Sequence, residues 1–331
     1  MPITRPRLFV TRRLPDKGLE LLHGLADDYD IDLWPEPLPP AYHTLTHKAV
    51  GLTGLLCLLT DRIDAALMDA AGPSLKVISQ LAVGLDNIDL AAATARRIPV
   101  GHTPGVLTDA TADFTWALLM AAARRVVEGD RFTRSGRWQT WDPIGFLGPD
   151  ITGATLGIIG FGRIGQAVAR RAQGFDMRVL YHDPQRHLEA EQIHRVHYAE
   201  LAVLLRDSDF VTLHTTLSAD TYHYFDDDKF RQMKPGAVLV NTSRGPVVDP
   251  AALYRALAGR TIAAAAIDVT EPEPIQPGDP LLTLDNLIIT PHIASASLDS
   301  RNRMAAMAVI NLAAGLKGER LPHCANPPVY D

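Results

Sequence analysis

The chain has 331 residues, and at roughly 150 residues per domain this length predicts about two domains. Hydrophobic residues make up 47% and charged residues 21% of the chain, a composition that excludes long-range disorder and supplies a sizeable core. The formal net charge of -6 argues against nucleic acid and membrane lipid as main partners, and two cysteines exclude a disulfide framework. Without a signal-like N-terminus or a run of about 18 apolar residues, we expect a cytoplasmic protein.

The N-terminal part of the chain alternates short apolar runs with helix-like stretches. The apolar runs are RLFVT, YDIDLW, GLLCLLT and KVISQLAVG, and the helical stretches include residues 15–26 and 63–71. Apolar runs of this length separated by helices predict a parallel sheet covered on both faces. The pattern pauses at Pro104-Gly105, and a long helix is predicted to begin near Thr108.

From residue 155 the alternation resumes more strongly. Seven strands are predicted, at TLGIIG, MRVLYH, RVHY, DFVTLH, GAVLVN, TIAAAAI and NLIITP. One further helix is predicted at roughly Ser297 to Lys317. A lone terminal helix must pack on a unit already formed, and the pattern leaves open whether it returns to the N-terminal sheet.

The sharpest local motif is Gly160-Phe-Gly162-Arg-Ile-Gly165, directly after a predicted strand and directly before a predicted helix. Glycines there permit a tight turn and close backbone approach, and the helix N-terminus offers free N–H groups to a pyrophosphate. Asp183 closes the next strand, where a carboxylate accepts both ribose hydroxyls and repels a 2′-phosphate. We therefore expect NAD(H) to be the preferred cofactor, while the nearby Arg186 keeps use of NADP(H) open.

Three residues of the second half suit hydride transfer to a carbonyl, which needs a proton donor, a charge stabiliser and a substrate anchor. Arg244 and His292 each follow a predicted strand at its carboxyl end, where ligands collect in open α/β sheets. Glu273 lies in a proline-rich loop, and a carboxylate beside an imidazole favours the protonated ring. Taken singly, each of the three residues is more often structural or surface-exposed than catalytic.

The three residues lie in motifs that follow one another in a fixed order along the chain. NTSRGPVVD, AAIDVTEPEP and ITPHI follow GFGRIG, and in this order they resemble the D-isomer-specific 2-hydroxyacid dehydrogenase family. The resemblance runs through essentially the whole chain from near Leu8, and it includes VISQLAVGLDNID, HTPGVLTDATAD and ASASLDSRNRM. Within the family, TPGVLTDATAD, SGRWQTW and DVTEPEP are most similar to the glyoxylate/hydroxypyruvate reductases.

The resemblance implies an α/β fold of two doubly wound parallel-sheet domains with an active-site cleft between them. A flavodoxin-like substrate domain would comprise residues 1–101 and 291–331, and a Rossmann NAD-binding domain would comprise residues 102–290. The resemblance also implies a homodimer, in which Trp141 can reach the neighbouring subunit's site. Ordinary packing of a dimer arm is an equal alternative for Trp141.

Roles for the three candidate catalytic residues follow from the same resemblance. His292 would be the general acid/base, Glu273 its carboxylate partner and Arg244 the group that binds the 2-oxo acid. Glu273 is preferred to Glu271 because the family's glutamate stands directly before proline and four residues after the valine of the Asp-Val pair.

The same resemblance assigns further residues to the substrate and the cofactor. Backbone N–H groups of Val83 and Gly84 would bind the substrate carboxylate, and Asp268 would lie by the nicotinamide carboxamide. The cofactor-side residues would be Thr108, Gly160, Gly162, Arg163, Ile164, Gly165, Asp183, Thr216, Thr221, Thr242, Asp268 and His292. Many relatives have Pro-Leu beside the adenosine where this chain has Thr216-Leu217. Because neither pair of closely spaced histidines has a carboxylate or cysteine to complete a metal set, we expect no metal.

Together these features predict a reductase that converts a small 2-oxo acid, glyoxylate or hydroxypyruvate, to the 2-hydroxy acid. Two alternatives stay open. The same scaffold serves other specificities, such as 3-phosphoglycerate or phosphite. Related corepressor-like proteins bind NAD as a sensing ligand, with slow or absent turnover, and keep the same three polar residues.

Overall fold

A computed structural model describes residues 5–331 of the chain. These residues form two compact units. One unit comprises Ser297–Asp331 and the described residues before Thr108, and the other comprises Thr108–Ala296. The boundaries predicted from the sequence, after residues 101 and 290, each lie six residues before these division points.

The first unit contains, among its described residues, a five-stranded parallel sheet in the order β2-β1-β3-β4-β5. Its strands are β1 (Arg7–Val10), β2 (Asp30–Leu33), β3 (Leu52–Cys57), β4 (Val77–Gln80) and β5 (Val100–Gly101). Its first helices are α1 (Asp16–His23), α2 (Tyr42–Ala49), α3 (Ala65–Ala71) and α4 (Leu90–Ala95). All six residues of β3 are buried, as expected for a central strand covered by helices on both faces.

The second unit contains a seven-stranded parallel sheet in the order β12-β11-β10-β9-β6-β7-β8. Its strands are β6 (Thr155–Ile159), β7 (Arg178–His182), β8 (His197–Tyr198), β9 (Phe210–Leu213), β10 (Val238–Asn241), β11 (Ala264–Ile267) and β12 (Leu287–Ile289). Its helices are α5 (Thr108–Ala123), α6 (Val126–Arg134), α7 (Arg163–Ala172), α8 (Leu188–His194), α9 (Leu201–Asp207), α10 (Asp227–Gln232) and α11 (Pro250–Ala258). The predicted fold class of two parallel-sheet α/β units is confirmed.

The last helix, α12 (Leu298–Leu316), belongs to the first unit. Small residues allow a close approach, since a Cβ on Gly315 would lie 2.5 Å from the Val77 side chain in β4. The Ser79 hydroxyl donates to the Ala308 carbonyl of α12 (2.7 Å). The apolar side chains of α12 thereby complete the core over one face of the five-stranded sheet. The chain therefore returns to its N-terminal sheet, which the sequence pattern leaves open.

The carboxyl edge of the seven-stranded sheet collects one glycine of the glycine motif and several polar residues, most of which the sequence singles out. In this sheet β6 lies between β7 and β9. The chain runs from β6 to β7 in one direction along the sheet and from β9 to β10 in the other, so the loops that follow β6 and β9 begin next to each other. Open α/β sheets bind their ligands at such a point. The residues that follow successive strands at this edge are Gly160 after β6, Asp183 after β7, His214 after β9, Arg244 beyond β10, Asp268 after β11 and His292 beyond β12.

An irregular segment of the second unit, residues 135–149, exposes large apolar side chains. We call this segment the arm. The exposed fractions are 64% for Trp138, 78% for Trp141, 77% for Ile144 and 66% for Leu147. Monomeric proteins rarely leave such side chains clustered in water. In the part of the chain that the structure describes, no helix is both long and apolar enough to cross a membrane.

Candidate cofactor-binding and active site

The glycine motif forms a tight loop between β6 and α7. Gly160 has a φ of +88°, which favours glycine, and a Cβ there would lie 2.7 Å from the backbone of His214. A Cβ on Gly165 would collide with the Gly160 carbonyl. At Gly162, which caps α7, a Cβ would meet no described atom within 4 Å. Two of the glycines are therefore needed for backbone packing, and the third leaves open space at the N-terminus of α7.

The residues around this loop fit a dinucleotide. The first turn of α7, which begins at Arg163 and Ile164, has no side-chain cap among the described residues. Beside Gly160, both ring nitrogens of His214 and the hydroxyl of Thr215 are buried without a hydrogen-bond partner in residues 5–331. An uncapped helix N-terminus that faces open space suits a pyrophosphate. We conclude that this loop and α7 could hold the phosphates of a dinucleotide.

Asp183 directly follows β7 and lies against the glycine loop. Its Oδ2 accepts a hydrogen bond from the Phe161 backbone N–H (2.7 Å), and its Oδ1 accepts one from the Gln185 backbone N–H (3.0 Å). The Nε2 atom of His187 lies 3.6 Å from the same Oδ1. The carboxylate therefore stabilises the loop and also puts a negative charge where a Rossmann unit binds the ribose.

Arg186, the residue that leaves use of NADP(H) as an alternative, forms an ion pair with Glu191. Its Nε and Nη2 atoms donate to the two carboxylate oxygens of Glu191 (2.8 and 3.0 Å), and the Tyr181 hydroxyl donates to the same carboxylate (2.8 Å). Hydrogen bonds from Arg186 and Tyr181 outweigh burial and lower the pKa of Glu191 to about 2. The carboxylate is therefore charged at neutral pH and holds the guanidinium in a bidentate pair.

The threonines assigned to the cofactor side occupy three different settings. Thr108 is the first residue of α5. Thr242 is buried, and its hydroxyl lies 2.9 Å from the hydroxyl of Thr115 in α5. Thr221 donates to the Thr216 carbonyl (2.7 Å), which makes a local turn in the exposed loop after β9. The hydroxyls of Thr221 and Thr242 thus both have partners within the protein.

Asp268 shapes the loop that carries His292. It is 1% exposed, and its Oδ1 accepts hydrogen bonds from the Thr290 hydroxyl (2.6 Å) and the Ile293 N–H (2.9 Å). Its Oδ2 accepts from the Ala294 N–H (2.7 Å). Three donors around one carboxylate fix the backbone on both sides of His292. The sequence assigns this residue to the cofactor, and the structure gives it this additional role within the protein.

His292 and Glu273 form a close pair. His292 Nδ1 lies 2.6 Å from Glu273 Oε1, and the side chain of His292 is 28% exposed. The φ of His292 is +55°, and its backbone N–H donates to the Asp268 carbonyl (2.9 Å). Burial opposes ionisation of Glu273, but the hydrogen bond from His292 and the positive charges of His292 and Arg244 lower the pKa of Glu273 below its usual value. The carboxylate is therefore ionised at neutral pH.

Arg244 lies in the loop after β10, and two neighbouring residues organise this loop. The Asn241 amide donates to the Arg244 carbonyl (2.9 Å), and Arg244 Nη1 donates to the Ser243 carbonyl (2.8 Å). A Cβ on Gly245 would collide with the Thr270 carbonyl. The loop of Arg244 and the loop of Glu273 therefore pack backbone against backbone, which is why the charge of Arg244 acts on the Glu273 carboxyl.

The structure thus brings Arg244, Glu273 and His292 together at one edge of the second sheet. An imidazole held by a carboxylate can move a proton, and a guanidinium can bind a carboxylate or a developing oxyanion. Within residues 5–331 no group of three or more His, Cys, Asp or Glu side chains is placed to hold a metal ion. Acid–base and hydride chemistry suits this edge of the sheet.

The remaining assigned residues belong to the first unit and to the arm. Val83 and Gly84 belong to the first unit, in the loop after β4, where the Gln80 amide donates to the Gly84 carbonyl (3.3 Å). His102 Nδ1 lies 3.3 Å from the Val83 carbonyl. Trp141 lies in the arm, with 78% of its surface exposed.

Sequence reasoning missed three polar residues of this region. His214 directly follows β9, Asn241 is the last residue of β10, and Thr290 directly follows β12. Their positions in the sequence could have identified them, because each lies at the carboxyl end of a strand, as Asp183 does. Thr290 and Asn241 act on the loops of His292 and Arg244, so they set geometry without any motif of their own.

A parallel α/β unit with a glycine loop at its switch point, a histidine–carboxylate pair and an arginine defines the class of dinucleotide-dependent dehydrogenases. The family model "D-isomer specific 2-hydroxyacid dehydrogenase, NAD binding domain" matches residues 116–294, more than half of the chain. The chain belongs to the D-isomer specific 2-hydroxyacid dehydrogenase family, and the family predicted from the ordered motifs is confirmed.

Similarity to known proteins extends over both units. A glyoxylate reductase from Korarchaeum cryptofilum is 51% identical over 326 residues, which cover 98% of this chain and 97% of that protein. The crystal structure of the TT0316 protein from Thermus thermophilus matches with a TM-score of 0.89 and 46% identity, covering 96% of this chain and 99% of that one. An NADPH-dependent glyoxylate/hydroxypyruvate reductase from Sinorhizobium meliloti, in complex with NADP and malonate, matches with a TM-score of 0.85 and 31% identity, covering 98% of each chain.

Proposed function

We propose that this protein reduces glyoxylate or hydroxypyruvate to the corresponding 2-hydroxy acid. The observation that carries the proposal is the 2.6 Å contact between His292 and Glu273, with Arg244 close enough to act on the Glu273 carboxyl. The names of the relatives from K. cryptofilum and S. meliloti support the choice of substrate. When bound, the reduced nicotinamide cofactor supplies the hydride to the keto carbon.

His292 donates the proton that the substrate oxygen needs. Because Nδ1 is engaged by Glu273, Nε2 is the atom that carries the transferable proton. Glu273, ionised at neutral pH because its pKa is lowered, stabilises the imidazolium and fixes the orientation of the ring. Reduction therefore needs the protonated ring, and the rate falls on the alkaline side.

Arg244 binds the 2-oxo acid and stabilises the charge that develops on its oxygen. A guanidinium presents a planar fork of donors that matches a carboxylate, and it stays protonated at every working pH. The backbone of its loop is tied by Asn241 and packed against Thr270. The charge is therefore preorganised beside the His292–Glu273 pair.

NAD(H) is the preferred cofactor in this proposal. Asp183 puts a carboxylate beside the glycine loop, and such a group repels a 2′-phosphate. Arg186, which could otherwise bind that phosphate, is engaged by the ionised Glu191. The S. meliloti relative is NADPH-dependent, so NADP(H) is included in the test.

The deciding experiment follows the loss of absorbance of NADH and of NADPH with glyoxylate, hydroxypyruvate, pyruvate and 3-phosphohydroxypyruvate. We expect fast oxidation of NADH with glyoxylate or hydroxypyruvate, and slower oxidation of NADPH. Faster turnover with NADPH would overturn the cofactor preference. Turnover of 3-phosphohydroxypyruvate alone would overturn the substrate, and tight NADH binding without turnover of any acid would point to an NAD-sensing protein.

Replacement of His292 tests the proton donor. His292→Ala should lower turnover by about 10²- to 10⁴-fold, the usual contribution of general acid catalysis. His47→Ala, which removes an exposed histidine of the first unit, is the matched control and should keep full turnover. Full turnover of His292→Ala would refute the assignment.

We further propose that the arm is covered by a second copy of the chain in a homodimer. The support is the exposure of Trp138, Trp141, Ile144 and Leu147 within one short segment. Analytical ultracentrifugation should show a dimer, and Trp141→Ser should weaken it. If Trp141 reaches the neighbouring subunit's site, the same variant also changes the KM for the 2-oxo acid at concentrations where the dimer persists. A monomer at micromolar concentration would refute the proposal.

A further inference from the structure

A second histidine–carboxylate pair takes its glutamate from the same loop that carries Glu273. His223 Nε2 is 2.6 Å from Glu271 Oε2, and the Tyr222 hydroxyl donates to Glu271 Oε1 (3.1 Å). The rings of Tyr222 and His223 stack, with centroids 4.0 Å apart and an interplanar angle of 15°. Both oxygens of Glu271 are therefore engaged, two residues before Glu273 in the chain.

His223 also binds the loop that carries Arg244. Its backbone N–H donates to the Pro246 carbonyl (2.7 Å), and the Phe225 N–H donates to the Val247 carbonyl (2.9 Å). The φ of His223 is +48°, a left-handed conformation that few non-glycine residues adopt. In this conformation the main chain of His223 binds one catalytic loop while its side chain binds the other.

The two loops that His223 joins also touch each other directly. Gly245 has no room for a Cβ, because that atom would collide with the Thr270 carbonyl. The Thr270 hydroxyl donates to the Pro272 carbonyl (2.8 Å), which closes the turn between Glu271 and Glu273. Because this turn is short and internally bonded, a displacement of Glu271 is passed on to Glu273.

We propose that His223 is a positioning residue, which sets the approach of Glu273 to His292 by anchoring Glu271 to the Arg244 loop. The inference rests on the proposed function, in which His292 and Glu273 are the proton-donating pair. A hydrogen bond of 2.6 Å tolerates little displacement of its acceptor. Misplacement of a reacting group by about 1 Å can cost on the order of 10²-fold in rate, even when the change is remote from the chemistry.

The kinetic test compares four variants with the wild type, using NADH and glyoxylate. His223→Ala should lower kcat by about 10- to 100-fold. The KM for glyoxylate and the Kd for NADH should change by less than about twofold, because the binding groups are intact. His223→Gln keeps one N–H donor for Glu271 and should recover most of the loss, while Tyr222→Phe removes one donor and should cost less than His223→Ala. His47→Ala should behave as wild type.

The pH profile separates positioning from a general structural defect. In His223→Ala the alkaline fall of kcat/KM should move to lower pH, in the same direction as in Glu273→Gln, because both changes weaken the carboxylate's hold on the imidazolium. His223→Gln should restore the wild-type profile. A loss of kcat with an unmoved profile and no recovery in His223→Gln would overturn the proposal, as would wild-type kcat and profile in His223→Ala.

A readout without substrate keeps this test separate from the test of the proposed function. Proton NMR of the apoprotein should show a strongly downfield imidazole N–H from the His292–Glu273 hydrogen bond, identified by its absence in Glu273→Gln. The resonance should persist in His223→Gln and should shift upfield or disappear in His223→Ala. An unchanged resonance in His223→Ala would overturn the positioning role, whether or not the wild type reduces glyoxylate.

Discussion

His214 makes the stability of the second unit depend on pH. Neither ring nitrogen has a hydrogen-bond partner within the described chain. Burial disfavours the charged imidazolium and lowers the pKa of His214 from 6.5 to about 3. In the unfolded chain the ring keeps its ordinary pKa, so the unfolded state binds the extra proton between these two values.

The direction and size of the effect follow from linkage. Stability rises with pH wherever the unfolded state binds more protons, so the contribution of His214 is complete above about pH 7 and declines as the pH falls towards about 3. With an unfolded pKa of 6.5 and a folded pKa of about 3 for His214, the loss between pH 7 and pH 5 is about 2 kcal/mol. Below pH 3 the loss reaches about 5 kcal/mol.

The substitution His214→Leu isolates the contribution of His214 to the pH dependence of stability. It removes the titrating ring without breaking a described hydrogen bond. Urea unfolding is measured at pH 7 and pH 5, and hydrogen exchange of β6 and β9 gives the local readout. Between these two pH values the free energy of unfolding should fall by about 2 kcal/mol more in the wild type than in the variant. His47→Ala, the exposed-histidine control, should follow the wild type. Equal pH dependence in the wild type and His214→Leu would refute the reasoning.

Three other substitutions have defined outcomes. Gly245→Ala forces a Cβ into the Thr270 carbonyl, so it should cost about 1–3 kcal/mol in a thermal melt and lower kcat/KM. Asp268→Asn replaces a charged acceptor of three hydrogen bonds and should cost about 2 kcal/mol by urea unfolding, with reduced kcat. Glu191→Gln weakens the hold on Arg186 and should raise the NADPH/NADH ratio of kcat/KM severalfold; an unchanged ratio would show that Arg186 plays no part in cofactor choice.

Most strands were predictable because parallel strands buried on both faces read as uninterrupted apolar runs, whereas the two-residue β5 of the first sheet was not predicted. All seven strands of the second unit are present, and even the two-residue β8 lies within the predicted run RVHY. The partner of α12 was predicted only through the family resemblance, because periodicity identifies an apolar helix face without naming the surface that it covers. That partner depends on close approaches such as Gly315 to Val77, which exist only in three dimensions.

The residues of the candidate site could be named from the sequence, but their supporting contacts could not. The family's spacing singles out Glu273 rather than Glu271, yet only the side-chain contacts of the structure show that each glutamate lies against its own histidine. The sequence pointed to Asp268 but not to the three hydrogen bonds that its carboxylate accepts. His214 and His223 carry no motif that pattern reasoning could use, since the burial of one and the left-handed backbone of the other arise from tertiary packing.

The return of α12 to the first unit also sets an order for biosynthesis. The second unit is one continuous stretch of chain, Thr108–Ala296, and it can fold as soon as it leaves the ribosome. The first unit cannot, because the side chains of Leu8, Leu56 and Val77 are covered by α12, which is synthesised after the whole second unit. One face of the N-terminal sheet therefore stays uncovered until the second unit and α12 have both been made. This interval is the stage at which the protein is most exposed to aggregation and most dependent on chaperones.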